Sequence, residues 1–222
     1  MLEKYMTVYA GGSGEIVEKK SRFIANVALV HTEEEAIAFI DKMKKKYWDA
    51  RHNCSAYVIG EHDEIVRCSD DGEPGGTAGR PMLDVLLGEG LKNTAVVVTR
   101  YFGGTLLGTG GLVRAYSKAV QEGLAGSTII EKQLGRILWV TTDYVGIGKL
   151  QYLFGVESIP TLDSEYTDLV KLKILIPAAR VGSMEKAITE ATNGKARMQR
   201  DEEIYFAILD GKILTGEDLS QD

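Results

Sequence analysis

A β-branched run that leads through a glycine-rich stretch into a helical pattern is the feature that most limits the fold. Residues Thr94–Thr99 are typical of a buried strand. The glycines of 103–111 predict a loop, and residues 112–124 repeat apolar side chains at helical spacing. A strand that continues through a loop into a helix is typical of sheets with helices packed on them. This part of the chain is therefore predicted to form a mixed sheet covered by helices.

The patterns on either side of this segment predict an α+β protein with two domains. The first half has the order ββαββαβα, and the second half has the order βαββαβ, which is the ferredoxin-like arrangement. Thr32 and Asp143 are predicted N-caps of the first helix in each half. Small residues end the last helix of the first half, so the domains are predicted at 1–130 and 131–210. We expect the acidic tail, 211–222, to be frayed and solvated.

Composition excludes several classes of protein. The chain has 222 residues, 44% of them hydrophobic, which is ordinary for a folded protein. Its two cysteines, Cys54 and Cys68, lack C-x-x-C spacing and indicate a reducing compartment. The start has no apolar signal region, and no apolar run approaches the roughly 18 residues of a membrane span, so we expect a cytoplasmic protein without a membrane partner. The net charge of −6 excludes a domain that is basic throughout, but it leaves room for a local basic patch.

The glycine-rich loop is the first candidate site. Backbone N–H groups are unpaired at a helix N-terminus, the helix dipole favours an anion there, and glycines let a phosphate approach the backbone. The candidate residues are Arg100, Tyr101, Gly103, Gly104, Gly108, Gly110, Gly111, Arg114 and Lys118. The alternative is that the glycines only permit positive φ angles and close packing of helix on sheet. The spacing matches neither a P-loop nor a dinucleotide fingerprint.

A turn-rich segment at 69–81 is the second candidate site. It carries Asp70, Asp71 and Glu73, which would hold a hard cation or act as acid and base. Its Asp-Gly and Pro-Gly pairs are typical of a long turn, and no EF-hand spacing is present. The turn interpretation is therefore favoured over a metal site.

The third candidate lies at the start of a predicted strand, where His52 and Cys54 point to the same face. A Cys–His nucleophile pair is one interpretation, and a small buried apolar Cys54 is the other. Three histidines and no second cysteine pair argue against zinc, so no metal and no cofactor are expected. His52 begins the strand instead of lying within an apolar stripe, and it stays a candidate for binding or catalysis.

Together these segments resemble the IMPACT family, in particular its bacterial, YigZ/YvyE-like branch. The motifs that carry the resemblance are His52–Tyr57, Asp70–Pro74 with Gly79–Pro81, and Arg100–Gly104 with Leu107–Leu112. The resemblance covers nearly the whole chain, with ordered motifs in the first domain and a matching element order in the second. It implies an N-terminal domain with the fold of ribosomal protein S5 domain 2. It also implies a C-terminal ferredoxin-like domain similar to the last domains of elongation factor G.

Both of these related folds contact ribosomal RNA, and eukaryotic family members are translational regulators that restrain the kinase responding to amino-acid starvation. Those members carry an extra N-terminal RWD domain, which we expect to be absent here because only about 13 residues precede the first predicted strand. The resemblance therefore implies an RNA or ribosome role here, without control of that kinase.

Two functional hypotheses follow. The first is a non-catalytic regulator of translation that binds RNA, the ribosome, another phosphate-bearing partner or a translation-associated protein. Its predicted binding residues are those of the glycine loop together with Arg51, His52 and Arg80. The alternative is an enzyme acting on a phosphate-bearing small molecule, with His52 and either Asp71 or Glu73 moving protons. A protein-interaction module is a third possibility, and the sequence leaves the oligomeric state open.

Overall fold

The computed structural model describes residues 1–219, which divide into two compact units. The N-terminal unit contains Tyr5–Lys132 and the described residues from Glu217 onward. The C-terminal unit contains Gln133–Gly216 and the first four residues. Among residues 1–219, no helix combines the length and the apolar character needed to cross a membrane.

The N-terminal unit is organised around an antiparallel sheet of five strands in the order β2-β3-β7-β4-β5. The two remaining strands, β1 and β6, pair in parallel outside this sheet. The elements, in chain order, are β1 (Lys4–Ala10), β2 (Ser13–Glu18), β3 (Ser21–Leu29), α1 (Glu33–Lys46), β4 (His52–Ile59), β5 (Ile65–Ser69), α2 (Gly79–Gly88), β6 (Leu91–Lys92), β7 (Thr94–Tyr101) and α3 (Thr109–Ala125).

Helices cover both faces of this sheet. On one face, α2 and α3 pack against the central strands through side chains such as Met82, Leu86 and Tyr116. On the other face, α1 packs through Ala36, with Phe39 against the same cluster. Because helices cover both faces, the central strands β4 and β7 are buried almost throughout, including polar residues such as Asn53, Thr99 and Arg100. The end of β7 and the start of α3 are thereby fixed on either side of the glycine loop.

The C-terminal unit is an antiparallel sheet in the order β12-β11-β8-β10-β9, with two helices on one face. The elements are β8 (Thr128–Thr142), α4 (Tyr144–Val156), β9 (Thr161–Tyr166), β10 (Val170–Pro177), a 3₁₀ turn (Ala178–Arg180), α5 (Val181–Ala191), β11 (Arg197–Leu209) and β12 (Lys212–Thr215). A second 3₁₀ turn (Gly216–Leu219) follows, and from Glu217 onward it belongs to the N-terminal unit. The four strands β8 to β11 and their two helices have the predicted βαββαβ order. The predicted α+β class, with a ferredoxin-like second domain, is confirmed.

Three local features differ from the sequence prediction. Strand β1 lies in the segment that the sequence pattern places before the first strand. The pattern does not predict β1 because its buried residues Tyr5, Thr7 and Val8 do not alternate cleanly with exposed ones. Strand β8 begins at Thr128, so the end of the first half leads directly into a strand. The tail predicted to be frayed is ordered up to Leu219, since β12 pairs with β11 and Leu219 is buried. Residues 220–222 of that tail lie outside the described residues.

Candidate phosphate-binding site

The glycine loop between β7 and α3 separates two cavities. The first, here the His52 cavity, has a volume of about 490 Å³. The second, here the α3 cavity, has a volume of about 240 Å³. The His52 cavity is lined by Asp49, Ala50, Arg51, His52, Arg100, Tyr101, Phe102 and Leu106. The α3 cavity is lined by Ile16, Glu18, Lys19, Leu107, Gly111, Arg114, Ala115 and Lys118.

The α3 cavity gathers three cationic side chains beside α3 and reaches its first turn at Gly111. Arg114 and Lys118 are exposed one turn apart on α3, and Lys19 reaches the cavity from the turn between β2 and β3. Glu18 is the one carboxylate among its lining residues. The N-cap residue is Gly108, so no N-cap side chain accepts a hydrogen bond from the first turn of the helix. Cationic side chains and the positive end of the helix dipole therefore favour an anion at the same place.

Lys19 is the binding candidate that the sequence interpretation missed. Lys19 and Lys20 form a two-residue hairpin loop, with φ angles of 46° and 66°. Turns with two positive φ angles normally contain Asn-Gly, and a side chain in this region of φ costs free energy. The signal in the sequence is the pair of lysines between two strands, in place of the usual turn residues. Strained turns of this kind are found disproportionately at functional sites.

The loop glycines divide between a structural and an open group. A Cβ at Gly103 would lie 2.0 Å from the carbonyl carbon of Lys20, so only glycine lets the loop pack on this turn. Gly104 and Gly108 have positive φ angles, and there the packing interpretation is sufficient. Gly110 and Gly111 lie in the first turn of α3. A Cβ at Gly110 would come no closer than 3.6 Å to the Arg114 side chain, whereas a Cβ at Gly111 would lie 3.0 Å from the Cβ of Leu107. Gly110, which is exposed, therefore leaves the start of the helix accessible.

Arg100 belongs to a buried network beside the His52 cavity. Its Nη1 donates to Glu73 Oε1 at 2.6 Å, and the Arg100 and Glu73 side chains are only 7% and 3% exposed. The Tyr116 hydroxyl donates to the same Oε1 at 2.8 Å. The guanidinium also lies 5.5 Å from the centre of the Phe23 ring and 5.6 Å from that of Phe102. Within residues 1–219 its Nε has no hydrogen-bond partner. Arg100 is therefore placed to hold β7 and Glu73 together.

Cys54 joins the same network. Its Sγ lies 3.0 Å from the Asp70 carbonyl oxygen and 3.3 Å from the Tyr116 hydroxyl. Burial raises the pKa of the Cys54 thiol to about 12, and the nearby Glu73 charge acts in the same direction. A thiol with this pKa carries almost no thiolate at neutral pH, whereas a nucleophilic cysteine needs the thiolate. The geometry supports the small buried residue over the nucleophile.

The carboxylates of Asp70 and Asp71 are occupied by hydrogen bonds from backbone N–H groups. Asp70 accepts from the N–H groups of Gly76, Ala78 and Gly79 at 2.7, 3.0 and 2.8 Å. Burial alone would raise the pKa of Asp70, but these three donors outweigh burial and hold the pKa below its usual value. Asp71 accepts from the Asn53 N–H at 2.7 Å. Within residues 1–219, no group of three or more histidine, cysteine or acidic side chains is placed to hold a metal ion.

His52 has one ring nitrogen fixed and lines the cavity to which we give its name. Its Nδ1 lies 3.0 Å from the Asp71 carbonyl oxygen. Because a carbonyl oxygen can only accept, Nδ1 carries the proton and Nε2 is the basic nitrogen. Tyr101 and Asp49 also line the His52 cavity, and the Tyr101 hydroxyl donates to Asp49 Oδ1 at 2.7 Å.

The predicted binding residues thus do not form one cluster. The structure places Arg51, His52, Arg100 and Tyr101 in the His52 cavity, and Gly111, Arg114 and Lys118 in the α3 cavity. Arg80 lines neither cavity, and its Nε donates to Asp84 at 2.7 Å on the exposed surface of α2. A larger cavity, of about 820 Å³, lies between β3 and α1 and contains none of the predicted site residues.

Two family models match the chain. The Impact N-terminal domain matches residues 19–124, and a domain of unknown function, DUF1949, matches residues 140–195. The DUF1949 match lies within the ferredoxin-like part of the structure.

The chain is also similar to full-length bacterial proteins and to a solved structure. It is 46% identical to the IMPACT family member YvyE of Bacillus subtilis (strain 168), over 93% of this chain and 95% of the relative. It is 37% identical to the IMPACT family member YigZ of Escherichia coli (strain K12), over 83% and 92%. A solved structure titled "Crystal structure of an hypothetical protein" has 34% sequence identity and a TM-score of 0.57. The match covers 91% of this chain and 99% of the chain in that structure. The chain belongs to the IMPACT family.

Proposed function

We propose that this protein is a non-catalytic regulator of translation that binds RNA, free or within the ribosome, at the α3 cavity. The observation that carries the proposal is the convergence of Lys19, Arg114 and Lys118 on one cavity beside α3 in a chain of net charge −6. A translational role is what the family resemblance implies, and it would place the protein in the cytoplasm.

Electrostatics explains why an acidic protein would bind RNA at one place only. Lysine and arginine side chains that contact phosphates release condensed counterions, and this release drives binding. The net charge of −6 disfavours a polyanion over the protein as a whole, so we expect RNA at a local basic cluster. Phe102 and Leu106, both exposed on the other side of the glycine loop, offer apolar surface for an unpaired base. Single-stranded RNA is therefore the preferred form.

Filter binding with a single-stranded RNA oligonucleotide at several salt concentrations tests this proposal. The site variant is Lys19→Gln/Arg114→Gln/Lys118→Gln. The matched control, Lys45→Gln/Lys186→Gln/Lys195→Gln, removes three positive charges from exposed positions elsewhere. With about 0.7 counterions released per phosphate contact, the site variant should lose about 2 units of slope in log K against log salt. The control should keep the wild-type slope. Equal losses in both variants, or a wild-type affinity independent of salt, would contradict the proposal.

A second candidate, an enzyme acting on a phosphate-bearing small molecule, is favoured by the geometry of His52. The Asp71 carbonyl fixes the ring, and Nε2 would act as the base in a cavity that Arg51 also lines. Asp71 would act through its carbonyl and not as a proton donor, because its carboxylate accepts from Asn53. Turnover of a phosphate-ester panel by the wild type, lost in His52→Gln, would support this function. The absence of any turnover by the wild type would count against it.

A further inference from the structure

Helix α4 of the C-terminal unit has two apolar faces. One face is buried in the core of the unit through Leu150 and Phe154. The opposite face exposes Tyr144, Val145, Tyr152 and Val156, whose exposed fractions are 57, 78, 76 and 63%. A helix that is apolar on all sides is normally covered on all sides. The exposed face therefore indicates an interface.

The exposed residues form one continuous stripe along the helix. At 3.6 residues per turn, Tyr144, Val145, Tyr152 and Val156 lie with two glycines inside a band about 120° wide. Lys149 and Gln151 bound this band on its two sides. We call these six residues the α4 stripe: Tyr144, Val145, Gly148, Tyr152, Gly155 and Val156.

The two glycines of the α4 stripe have no role within the chain that the structure reveals. A Cβ at Gly148 or Gly155 would meet no atom within 4 Å among the described residues, and neither has a positive φ. Gly146 in the same helix differs, because its Cβ would lie 2.1 Å from Thr142 Oγ1. Glycine inside a helix lowers stability relative to alanine, so Gly148 and Gly155 carry a cost without an internal reason. Such glycines fit the close approach of another backbone.

We propose that the α4 stripe is the interface of a two-fold symmetric dimer of this chain. In this dimer the two copies of α4 lie antiparallel and cross at the level of Leu150. Residues equally far before and after position 150 are then at the same height, so each bulky residue faces a smaller one. Tyr152 of each copy then faces Gly148 of the other, and Val145 faces Gly155. A recess of about 470 Å³ beside the stripe, lined partly by Tyr152, Leu153 and Val156, leaves room for the side chains of the second copy.

The exposed area agrees with a second copy as the occupant. In this register the two copies of Lys149 lie along one edge of the interface and the two copies of Gln151 along the other, where their polar ends reach solvent. Two tyrosines and two valines offer on the order of 500 Å² per copy, or about 1,000 Å² in total. That total is at the lower limit for a specific interface. The dimer is therefore weak and dependent on protein concentration.

Sedimentation equilibrium of the full chain over a range of concentrations measures this dimer. The wild type should show a monomer–dimer equilibrium, and Tyr152→Ser should raise its dissociation constant about tenfold. Gly148→Ala should change monomer stability and dimer affinity in opposite directions. Alanine raises helix stability, but its methyl group fills the space that Tyr152 of the other copy needs. A higher melting temperature together with a weaker dimer is expected for Gly148→Ala. A wild type that is monomeric at every concentration would overturn the proposal.

Disulfide cross-linking tests the register. In a Cys68→Ser background, which removes the exposed native cysteine, Val145→Cys protein is mixed with Gly155→Cys protein and oxidised. The mixed pair should cross-link, because the two positions face each other. Val145→Cys alone should not, since its two copies would lie about 15 Å apart along the helix axis. Mixed cross-links no more abundant than those of Val145→Cys alone would overturn the proposal.

Discussion

Arg100 and Arg114 stand on opposite sides of the same glycine loop, yet their environments are opposite. Arg100 is buried and donates to Glu73, whereas Arg114 is exposed at the cationic start of α3. Arg100 continues the alternation of Val96 and Val98 on β7, and these residues point to the face that α2 and α3 cover. The position on the strand or helix, and not the type of residue, therefore separates a structural arginine from one that is available for binding.

The largest effect is expected when the buried side of this comparison is disrupted. Arg100→Ala leaves the Glu73 carboxylate buried without its cation, which should lower the free energy of unfolding by about 3–5 kcal/mol. Urea denaturation measures the change. Arg80→Ala is the control, because it breaks only an exposed pair with Asp84 and should cost about 0.3–0.5 kcal/mol. Similar losses in the two variants would remove the distinction between structural and surface arginines.

Asp70 should have the next largest effect, because it holds the segment that carries Glu73. In Asp70→Asn one of the three backbone donors faces an amide NH₂ in place of an oxygen, with an expected loss of about 1–3 kcal/mol. Urea denaturation at neutral pH gives this value. A loss below about 0.5 kcal/mol would show that the turn does not depend on the carboxylate.

The same variant predicts a pH dependence. The pKa of Asp70 is lower in the folded protein than in the unfolded chain, so its contribution is present above the unfolded pKa and is lost as pH falls through the folded pKa. Asparagine does not titrate. The difference in unfolding free energy between wild type and Asp70→Asn should therefore shrink as the pH falls below about 4. A difference that stays constant down to the folded pKa would contradict this role of the charge.

The strained lysine turn should show a smaller effect of opposite sign. Lys19→Asn/Lys20→Gly supplies the residues that two positive φ angles favour, and should raise the free energy of unfolding by about 1 kcal/mol. Its affinity for RNA should fall, because Lys19 is lost from the α3 cavity. Lys20→Gly alone should be stabilised and keep most of the affinity. A loss of affinity in Lys20→Gly as large as in the double variant would show that Lys20, and not Lys19, contributes to RNA binding.

Features set by local sequence could be predicted. The caps are examples: Thr32 Oγ1 accepts from the Glu35 N–H at 3.2 Å, and Asp143 Oδ1 from the Gly146 N–H at 2.7 Å. The ferredoxin-like order followed from alternating and helical patterns in the same way. The burial of Arg100 was also predictable, had the alternation of Val96 and Val98 been continued to the end of the strand.

Features set by contacts between distant residues could not be predicted. Strand β1 is defined by pairing of Met6 with Leu91, and neither segment has a strong strand pattern by itself. Tyr116 meets Glu73 across 43 residues, which turns an apparent turn carboxylate into part of the core. Lys19 joins Arg114 only because the β2–β3 hairpin packs beside α3. One sequence without long-range contacts carries no signal for these pairs.

Chemical footprinting of lysines tests the central claim most directly, because it uses the wild-type sequence and shows which lysines RNA covers. The protein is acetylated with and without a saturating single-stranded RNA oligonucleotide, and each lysine is quantified by mass spectrometry. Lys19 and Lys118 should be protected several-fold, whereas Lys45 and Lys186, exposed and outside the α3 cavity, should react as before. Protection of all four to the same extent, or protection of Lys45 and Lys186 without Lys19 and Lys118, would contradict the account.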